Sequence, residues 1–320
     1  MTAPGTAAEH DLNVAWTLAL AAARQAERLA DHDGVAAFTL DADGTLRPIP
    51  DNHPSALLAW RSGRGWESRM SPDDPRVALL DLYLPICSAT AARPITVGHL
   101  GQSLDGFIAT QTGDSQFVTG PENIVHLHRM RALCDAVVVG AGTIAADDPL
   151  LTTRHVAGPT PLRVVFDPAR RLSSSYRVFS DPSAPTLYVC ASALVDAAEA
   201  CFGLATIVGV DEAAAVAGVL HVLRQRGCRR IFVEGGGVTV SAFLEAGLLD
   251  RLHMAIAPII IGNGRPAIRL TAPATLRECQ RPRYRVFRMG GDVLFDCELT
   301  SAAGAEQSAG PESSTVARII

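Results

Sequence analysis

Ile95 to Arg154 read ITVGHLGQSLDGFIATQTGDSQFVTGPENIVHLHRMRALCDAVVVGAGTIAADDPLLTTR, and the fold is decided within them. A short apolar strand runs into the turn Ser103-Leu104-Asp105-Gly106. A Gly/Asp/Ser loop follows, then a helix carrying His128, Arg129 and Arg131. The apolar run Ala136 to Val139 predicts a buried strand, which leads into Gly140-Ala141-Gly142-Thr143. The stretch closes on Asp147-Asp148-Pro149 and Arg154. Loops at strand ends are where sites are usually built, so most of an active site is expected here.

Downstream, strands are expected at Leu162–Asp167, Thr186–Cys190, Ala205–Val210, Arg230–Val233 and Leu252–Ile261. Helices are expected at Ala193–Ala200, at Glu212–Arg226 with Gly227 as the residue that ends it, and at Thr239–Ala246. Arg283–Met289 and Asp292–Leu299 flank Gly290-Gly291 as a closing hairpin. Strands alternating with helices predict an α/β domain with a mainly parallel sheet, and the hairpin supplies antiparallel edge strands. Upstream, Leu12–Ala30 is rich in strong helix formers and follows Asp11 as a plausible N-cap. Asp43-Gly44 between apolar runs predicts a hairpin over Gly34–Ile49. Residues 50–76 show no regular element, Pro75–Leu84 reads as a short helix, and Ala89–Pro94 as a linker. The expected division is therefore an extension over 1–92, a domain over 93–300 and a disordered tail over 301–320.

Of the 320 residues, 48% are hydrophobic and 19% charged, an ordinary globular composition. A formal net charge of -5 argues against a nucleic-acid binder that relies on phosphate neutralisation. The cysteines form no CxxC pair and fit reduced thiols of a cytoplasmic protein, so no metal site is expected. No apolar run is long enough for a membrane span.

Glu234-Gly235-Gly236-Gly237, between a buried strand and a helix, is the sharpest local signal. Backbone N–H groups and the helix dipole there can cradle an anion, and glycines let a phosphate approach the main chain. Gly140-Ala141-Gly142-Thr143-Ile144-Ala145 has a GxGxxA form, but Asp147-Asp148-Pro149 interrupts any following helix, which excludes a simple Rossmann reading. Arg131 and Arg154, on either side of that strand, can converge on an anionic substrate. Asp147 and Asp148 also suit turn or cap positions. Hydrolase, zinc-protease and P-loop motifs are absent from the sequence.

Taken together, SLDG (Ser103–Gly106), Ser115 in DSQF, the HRMRA helix, DAVVVGAGT, DDPLLTTR, RVVFD, VEGGG and GLLDRLHMAIAPIIIG resemble the pyrimidine reductase of riboflavin biosynthesis. That family has a dihydrofolate-reductase-like fold, and the resemblance covers residues 94 to about 299. It implies NADPH-dependent reduction of 5-amino-6-(5-phosphoribosylamino)uracil, with hydride delivered to C1′ so that the ribosyl group becomes ribityl. Matched position by position, it implies substrate contacts at Ser115, Arg131, Leu151, Arg154 and Glu234. The arginines would hold the 5′-phosphate and Glu234 the pyrimidine edge. Cofactor contacts are implied at Gly101, Phe117, Thr143, Asp147 and Gly235, Gly236 and Gly237. His99 stands where the family usually has Lys beside the substrate, and with Glu234 it is a candidate for orienting it. Phe117 replaces a common Trp, and Ile124 an Arg common in bacterial members. The HxE and PCxxC signatures of the zinc deaminase found in bifunctional relatives are missing from residues 1–92. The family further implies a homodimer joined through the C-terminal strands. Two other readings stay open: a reductase of the same fold acting on another aminopyrimidine or a pterin, and a non-catalytic nucleotide-binding regulator. Under the leading reading, Glu234→Gln is expected to cripple turnover with little effect on folding.

Overall fold

The computed structural model describes residues 7–116, 118–196 and 198–299. Two sheets dominate. The smaller belongs to the N-terminal segment, where Ala15, Leu18, Ala19 and Ala22 recur at helical spacing and bury one face of α1 (Ala7–Gln25). Asp11 lies inside this helix and is not its cap, and a 3-10 turn over Ala26–Leu29 continues it. The expected hairpin forms as β1 (Val35–Leu40) and β2 (Leu46–Ile49). Its turn is closed by Thr45, whose N–H and hydroxyl both donate to Asp43 Oδ1, with Gly44 at φ 80°.

Residues 50–76 are not irregular throughout. β3 (Leu58–Arg61) and β4 (Gly65–Ser68) complete a 4-stranded antiparallel sheet in the order β2-β1-β3-β4. Each is too short to leave a periodic signal among the surrounding turn residues. What holds them is tertiary: Trp60 and Trp66 are cross-strand partners with ring centroids 5.4 Å apart, edge to face. The helix α2 (Val77–Cys87) runs past Leu84 and carries Pro85 in its last turn.

The larger sheet contains β5 (Ile95–Ser103), β7 (Ala136–Gly140), β8 (Leu162–Phe166), β9 (Thr186–Ala191), β10 (Cys201–Phe202), β11 (Ala205–Val210), β12 (Arg230–Glu234), β13 (Arg251–Ala257), β15 (Arg283–Met289) and β16 (Asp292–Glu298). The 10-stranded order is β10-β11-β9-β8-β7-β12-β5-β13-β16-β15. From β11 to β13 neighbours are parallel, and the C-terminal hairpin β15–β16 adds antiparallel strands at one edge, as expected. A separate pair, β6 (Phe107–Thr110) with β14 (Gly264–Pro266), covers one end. The helices are α3 (Pro121–Leu133), α4 (Ala141–Asp147), the short α5 (Arg177–Ser180), α6 (Ala215–Gln225) and α7 (Gly237–Glu245).

Two expected elements differ. The Ala193–Ala200 helix is replaced by a 3-10 turn over Ser192–Leu194 followed by β10. Alanine propensity alone does not hold a helix that has no apolar face to bury, and Leu194 is 43% exposed. The long strand ends at Ala257, because Pro258 has no N–H for the ladder.

On one face of the large sheet, α6 and α7 cover Ala136, Val138, Ile231 and Val233. On the other, a single apolar cluster joins Leu18, Trp60, Leu80 and Ile86 of the N-terminal segment to Val97, Met130, Val137 and Phe232. Polar contacts cross the same junction: Trp16 Nε1 donates to Ala157 O at 2.8 Å, and Arg230 Nη1 to Ala23 O at 2.9 Å. The linker Ala89–Pro94 therefore connects two segments of chain that share one core.

Candidate active site

Parallel strands leave their carboxyl ends and the following loops together, and Glu234, Arg131, Thr143 and Arg154 lie there. Glu234 is the last residue of β12, and Arg131 lies in the last turn of α3 above it. Arg131 Nε donates to Glu234 Oε2 at 2.7 Å, and Nη2 donates to Oε1, a bidentate fork. The side chains are only 8% and 12% exposed. A third donor, Nη1, reaches the carbonyl of Thr152 at 3.1 Å. Arg131 is thus engaged with Glu234 and the 148–154 loop, which a reading of both arginines as phosphate ligands did not anticipate.

That loop is held from two sides. Leu151 is buried with φ 57°, an unusual backbone for a branched residue. Just before it, the carbonyl of Leu150 accepts from Arg163 Nη1, whose side chain is fully buried in β8 and also pairs with Asp181 at 2.6 Å. Asp148, at φ 39°, closes α4 and accepts from the backbone N–H of Arg177 at 2.8 Å, so its role is the turn. Arg154 follows. Its N–H donates to His128 Nδ1 at 3.0 Å, and Nη1 to Thr152 Oγ1 at 2.5 Å. Burial and the nearby charges of Arg131 and Arg177 lower the Arg154 pKa, with Glu234 opposing them. An anion bound beside Arg154 would relieve that repulsion. His128 packs edge to face on His155, 4.5 Å between centroids. Burial first, then Arg131, His155 and Arg154, push the His128 pKa down to about 4. A neutral ring can accept the Arg154 N–H.

The glycine turn faces Thr143. The N–H of Gly236 donates to Thr143 Oγ1 at 2.9 Å, tying the start of α7 to α4. At Gly235, φ is 133°, a conformation reserved for glycine, and a Cβ there would lie 3.1 Å from Thr143 Oγ1. Both glycines remain partly exposed. Gly237 differs: the place of its Cβ is 2.1 Å from Ala267 O, so this glycine is required by packing against residues 266–267. Asp147 ends α4, and burial raises its pKa against the opposing charge of Arg265. The shortness of α4 agrees with the exclusion of a Rossmann turn.

Two implied residues sit on β5. A Cβ at Gly101 would stand 2.7 Å from Thr119. His99 is buried, and its Nε2 faces Asn123 Oδ1 at 3.0 Å. Asn123 Nδ2 donates to Thr119 Oγ1 and its amide oxygen faces the ring, an arrangement in which His99 Nε2 carries the proton. Burial and the neighbouring His253 lower the His99 pKa to about 4, against opposing effects of Asn123 and Glu234. His99 is a neutral, interior histidine adjoining Glu234, rather than an exposed cation. Ser115 is half-buried in the loop after β6, and Phe117 lies outside the described residues.

Opposed residues on neighbouring strands point to the same face, and here they make a polar row. Glu234 of β12 is opposite His99 of β5, His99 opposite His253 of β13, His253 opposite Asp296 of β16, and Asp296 opposite Arg285 of β15. α3 lies over the row and meets it with Asn123 at His99, His126 at His253 and Arg131 at Glu234. Burial opposes the Asp296 charge, but His253 and Arg251 outweigh it and hold the carboxyl well below its usual range. The sequence reading missed Asn123, Thr152 and Arg163. Only Arg163 left a signal, a charge within the apolar strand LRVVF. Among the described residues, no group of His, Cys, Asp and Glu is arranged to hold a metal ion, and no helix is long and apolar enough to cross a membrane.

The segment that carries this geometry is similar to known proteins. Residues 95–286 match the model of the RibD C-terminal domain. The chain is 36% identical over 186 residues to the 2,5-diamino-6-ribosylamino-4(3H)-pyrimidinone 5′-phosphate reductase of Methanothermobacter thermautotrophicus, a match covering 55% of this chain and 82% of that protein. It is 34% identical over 209 residues to the riboflavin biosynthesis protein RibD of Aquifex aeolicus, covering 64% of this chain and 58% of the relative. Among solved structures, a Thermotoga maritima deaminase/5-amino-6-(5-phosphoribosylamino)uracil reductase superposes with TM-score 0.58 at 19% identity, over 91% of this chain and 99% of that one, a likeness of fold. With its parallel sheet, glycine turn and arginine-bearing loop in the matched segment, this chain belongs to the RibD C-terminal domain family.

Proposed function

We propose that the protein reduces the ribosyl group of 5-amino-6-(5-phosphoribosylamino)uracil to the ribityl form with NADPH, in riboflavin biosynthesis. The observation that carries the reading is the meeting of Arg154, Arg131 and Glu234 at the carboxyl end of β12, beside the glycine turn, within the segment matched to the family. The Methanothermobacter relative is named for the 2,5-diamino-4(3H)-pyrimidinone analogue, and both compounds carry a ribosylamino group and a 5′-phosphate.

The residues present suit a dinucleotide. Gly235 and Gly236 stay partly exposed at the N-terminus of α7, the Gly236 N–H capped by Thr143, and a diphosphate would meet there the favourable end of a helix dipole. Thr143, Asp147, Gly101, Phe117 and Gly237 complete the proposed cofactor contacts. NADPH, when bound, supplies the hydride, so the protein's task is to bind and orient. Arg154 holds the 5′-phosphate. Glu234 accepts hydrogen bonds from the pyrimidine edge and is kept in place by the Arg131 fork. Leu151 walls the site next to Arg154, Ser115 contributes from the loop after β6, and His99 supports Glu234 from the neighbouring strand. A homodimer through the C-terminal strands accords with Tyr284, exposed on the edge strand β15, and a cytoplasmic setting accords with the free cysteines.

The test is NADPH oxidation by the purified protein with freshly generated 5-amino-6-(5-phosphoribosylamino)uracil, run beside its 2,5-diamino analogue and NADH. Consumption of NADPH together with a ribityl product of the expected mass supports the reading. Cofactor binding without reduction of either compound would move the substrate to another aminopyrimidine or a pterin.

A further inference from the structure

Residues 7–87 precede the segment matched to the family, yet one side chain from them enters the polar row beneath α3. Tyr83 of α2 is buried, with its hydroxyl 2.7 Å from His126 Nδ1. His126 Nε2 lies 3.1 Å from His253 Nδ1, and His253 Nε2 lies 3.3 Å from Asp296 Oδ1. That last contact is poorly aligned for a hydrogen bond, but Asp296 can only accept, so it favours the proton on His253 Nε2. His126 and His253 share one hydrogen bond through Nε2 and Nδ1, and the other ring nitrogen of His126, Nδ1, is paired with the Tyr83 hydroxyl. Burial holds the Tyr83 hydroxyl protonated and His126 neutral. The His126 ring also stands 5.3 Å from that of His99, the residue in register with Glu234.

We propose that Tyr83 is a positioning residue of the reductase site: its hydroxyl satisfies His126, seats α3 on the polar row, and thereby sets the Arg131–Glu234 fork. The N-terminal segment is then part of the reductase and not an appended module. α3 carries both ends of the lever, with His126 facing Tyr83 and Arg131, in its last turn, facing Glu234. Removing the hydroxyl leaves His126 Nδ1 buried without its hydrogen-bond partner, and the cheapest relief is a shift of α3.

The inference rests on the proposed reductase reading for its kinetic consequence only. The experiment compares the wild type, Tyr83→Phe and a packing control on the same helix, Leu80→Val. Two readouts are taken: kcat and KM, and the hydrogen exchange of the Arg131 Nε–H in ligand-free protein by NMR. In Tyr83→Phe, Arg131 exchange quickens and kcat falls roughly fivefold with KM within about twofold, the size of one lost hydrogen bond. Leu80→Val loses stability but keeps the wild-type exchange and kcat. Wild-type exchange and kcat in Tyr83→Phe would overturn the proposal, as would equal losses in the packing control. If Tyr83→Phe does not fold, 3-fluorotyrosine at position 83, which keeps the ring and makes the hydroxyl more acidic, is read the same way. There a change in Arg131 exchange supports the proposal, and none counts against it. A wild type that reduces no aminopyrimidine sinks the functional reading, while Arg131 exchange still decides the role of Tyr83.

Discussion

Arg131 and Glu234, 103 residues apart in sequence, form a buried fork in which one arginine edge meets both carboxylate oxygens. The pair is nearly enclosed, so neither charge is spare, and each fixes the other's orientation.

Replacing Glu234 with Gln follows from this directly. Gln keeps the shape but not the charge, leaving Arg131 buried and uncompensated. Removal of one partner from such a pair costs about 3 kcal/mol or more. Turnover is expected to fall by roughly a hundredfold, the scale of losing one well-placed polar contact, and the thermal midpoint by several degrees. The sequence-based expectation of little effect on folding is thereby revised. Wild-type kcat together with an unchanged midpoint would remove Glu234 from both roles.

Arg154→Ala separates phosphate binding from scaffolding. The Arg154 backbone N–H on His128 survives the substitution, so the loop persists. KM for a phosphorylated substrate is expected to rise roughly tenfold or more, the effect of a lost charge-assisted contact. A dephosphorylated substrate is expected to change little. Equal effects on the two substrates would count against a phosphate at Arg154.

Two glycines close to each other in the fold respond oppositely to alanine. At Gly237 the added carbon meets Ala267 O at 2.1 Å, and backbone must move, at a cost of about 1–3 kcal/mol. At Gly142, inside α4, nothing lies within 4 Å, so Gly142→Ala is expected to stabilise by up to about 1 kcal/mol. Urea unfolding of both variants checks this. A neutral Gly237→Ala would mean that residues 266–267 yield freely.

Acid stability should report the buried histidines. His99 and His128 are held to about 4, below the ordinary 6.5 of an unfolded chain. Between those values the unfolded state binds protons that the folded state does not. Stability is therefore full above pH 6.5 and is lost as pH falls toward 4, by about 1.4 kcal/mol per pH unit for each histidine. Asp147, raised by burial, contributes in the opposite sense at lower pH. Urea midpoints measured from pH 7 to 4.5 should fall, and His128→Asn should flatten the slope. A slope unaffected by that change would mean that His128 titrates normally.

Legible in the sequence alone are the parallel sheet, its hairpin edge and the neighbourhood of the candidate site. Those follow from short-range patterns: apolar strands of fixed length, glycines where backbones must approach, and a proline or Asp-Asp-Pro where helices must stop. Gly227 ending α6 at φ 80° and Gly290-Gly291 turning β15 into β16 were legible for that reason. The rest depends on pairs far apart in the chain, which meet only once it has folded. Trp60 against Trp66 makes strands of a segment that has no period of its own. Arg131 is committed to Glu234, and not left free for a ligand, by the placement of α3 over β12. The row Glu234, His99, His253, Asp296 exists only because strand register sets these residues side by side, and burial then fixes His99 as neutral. Side-chain charge, partner and role are properties of an environment, and the environment is assembled only when the chain has folded.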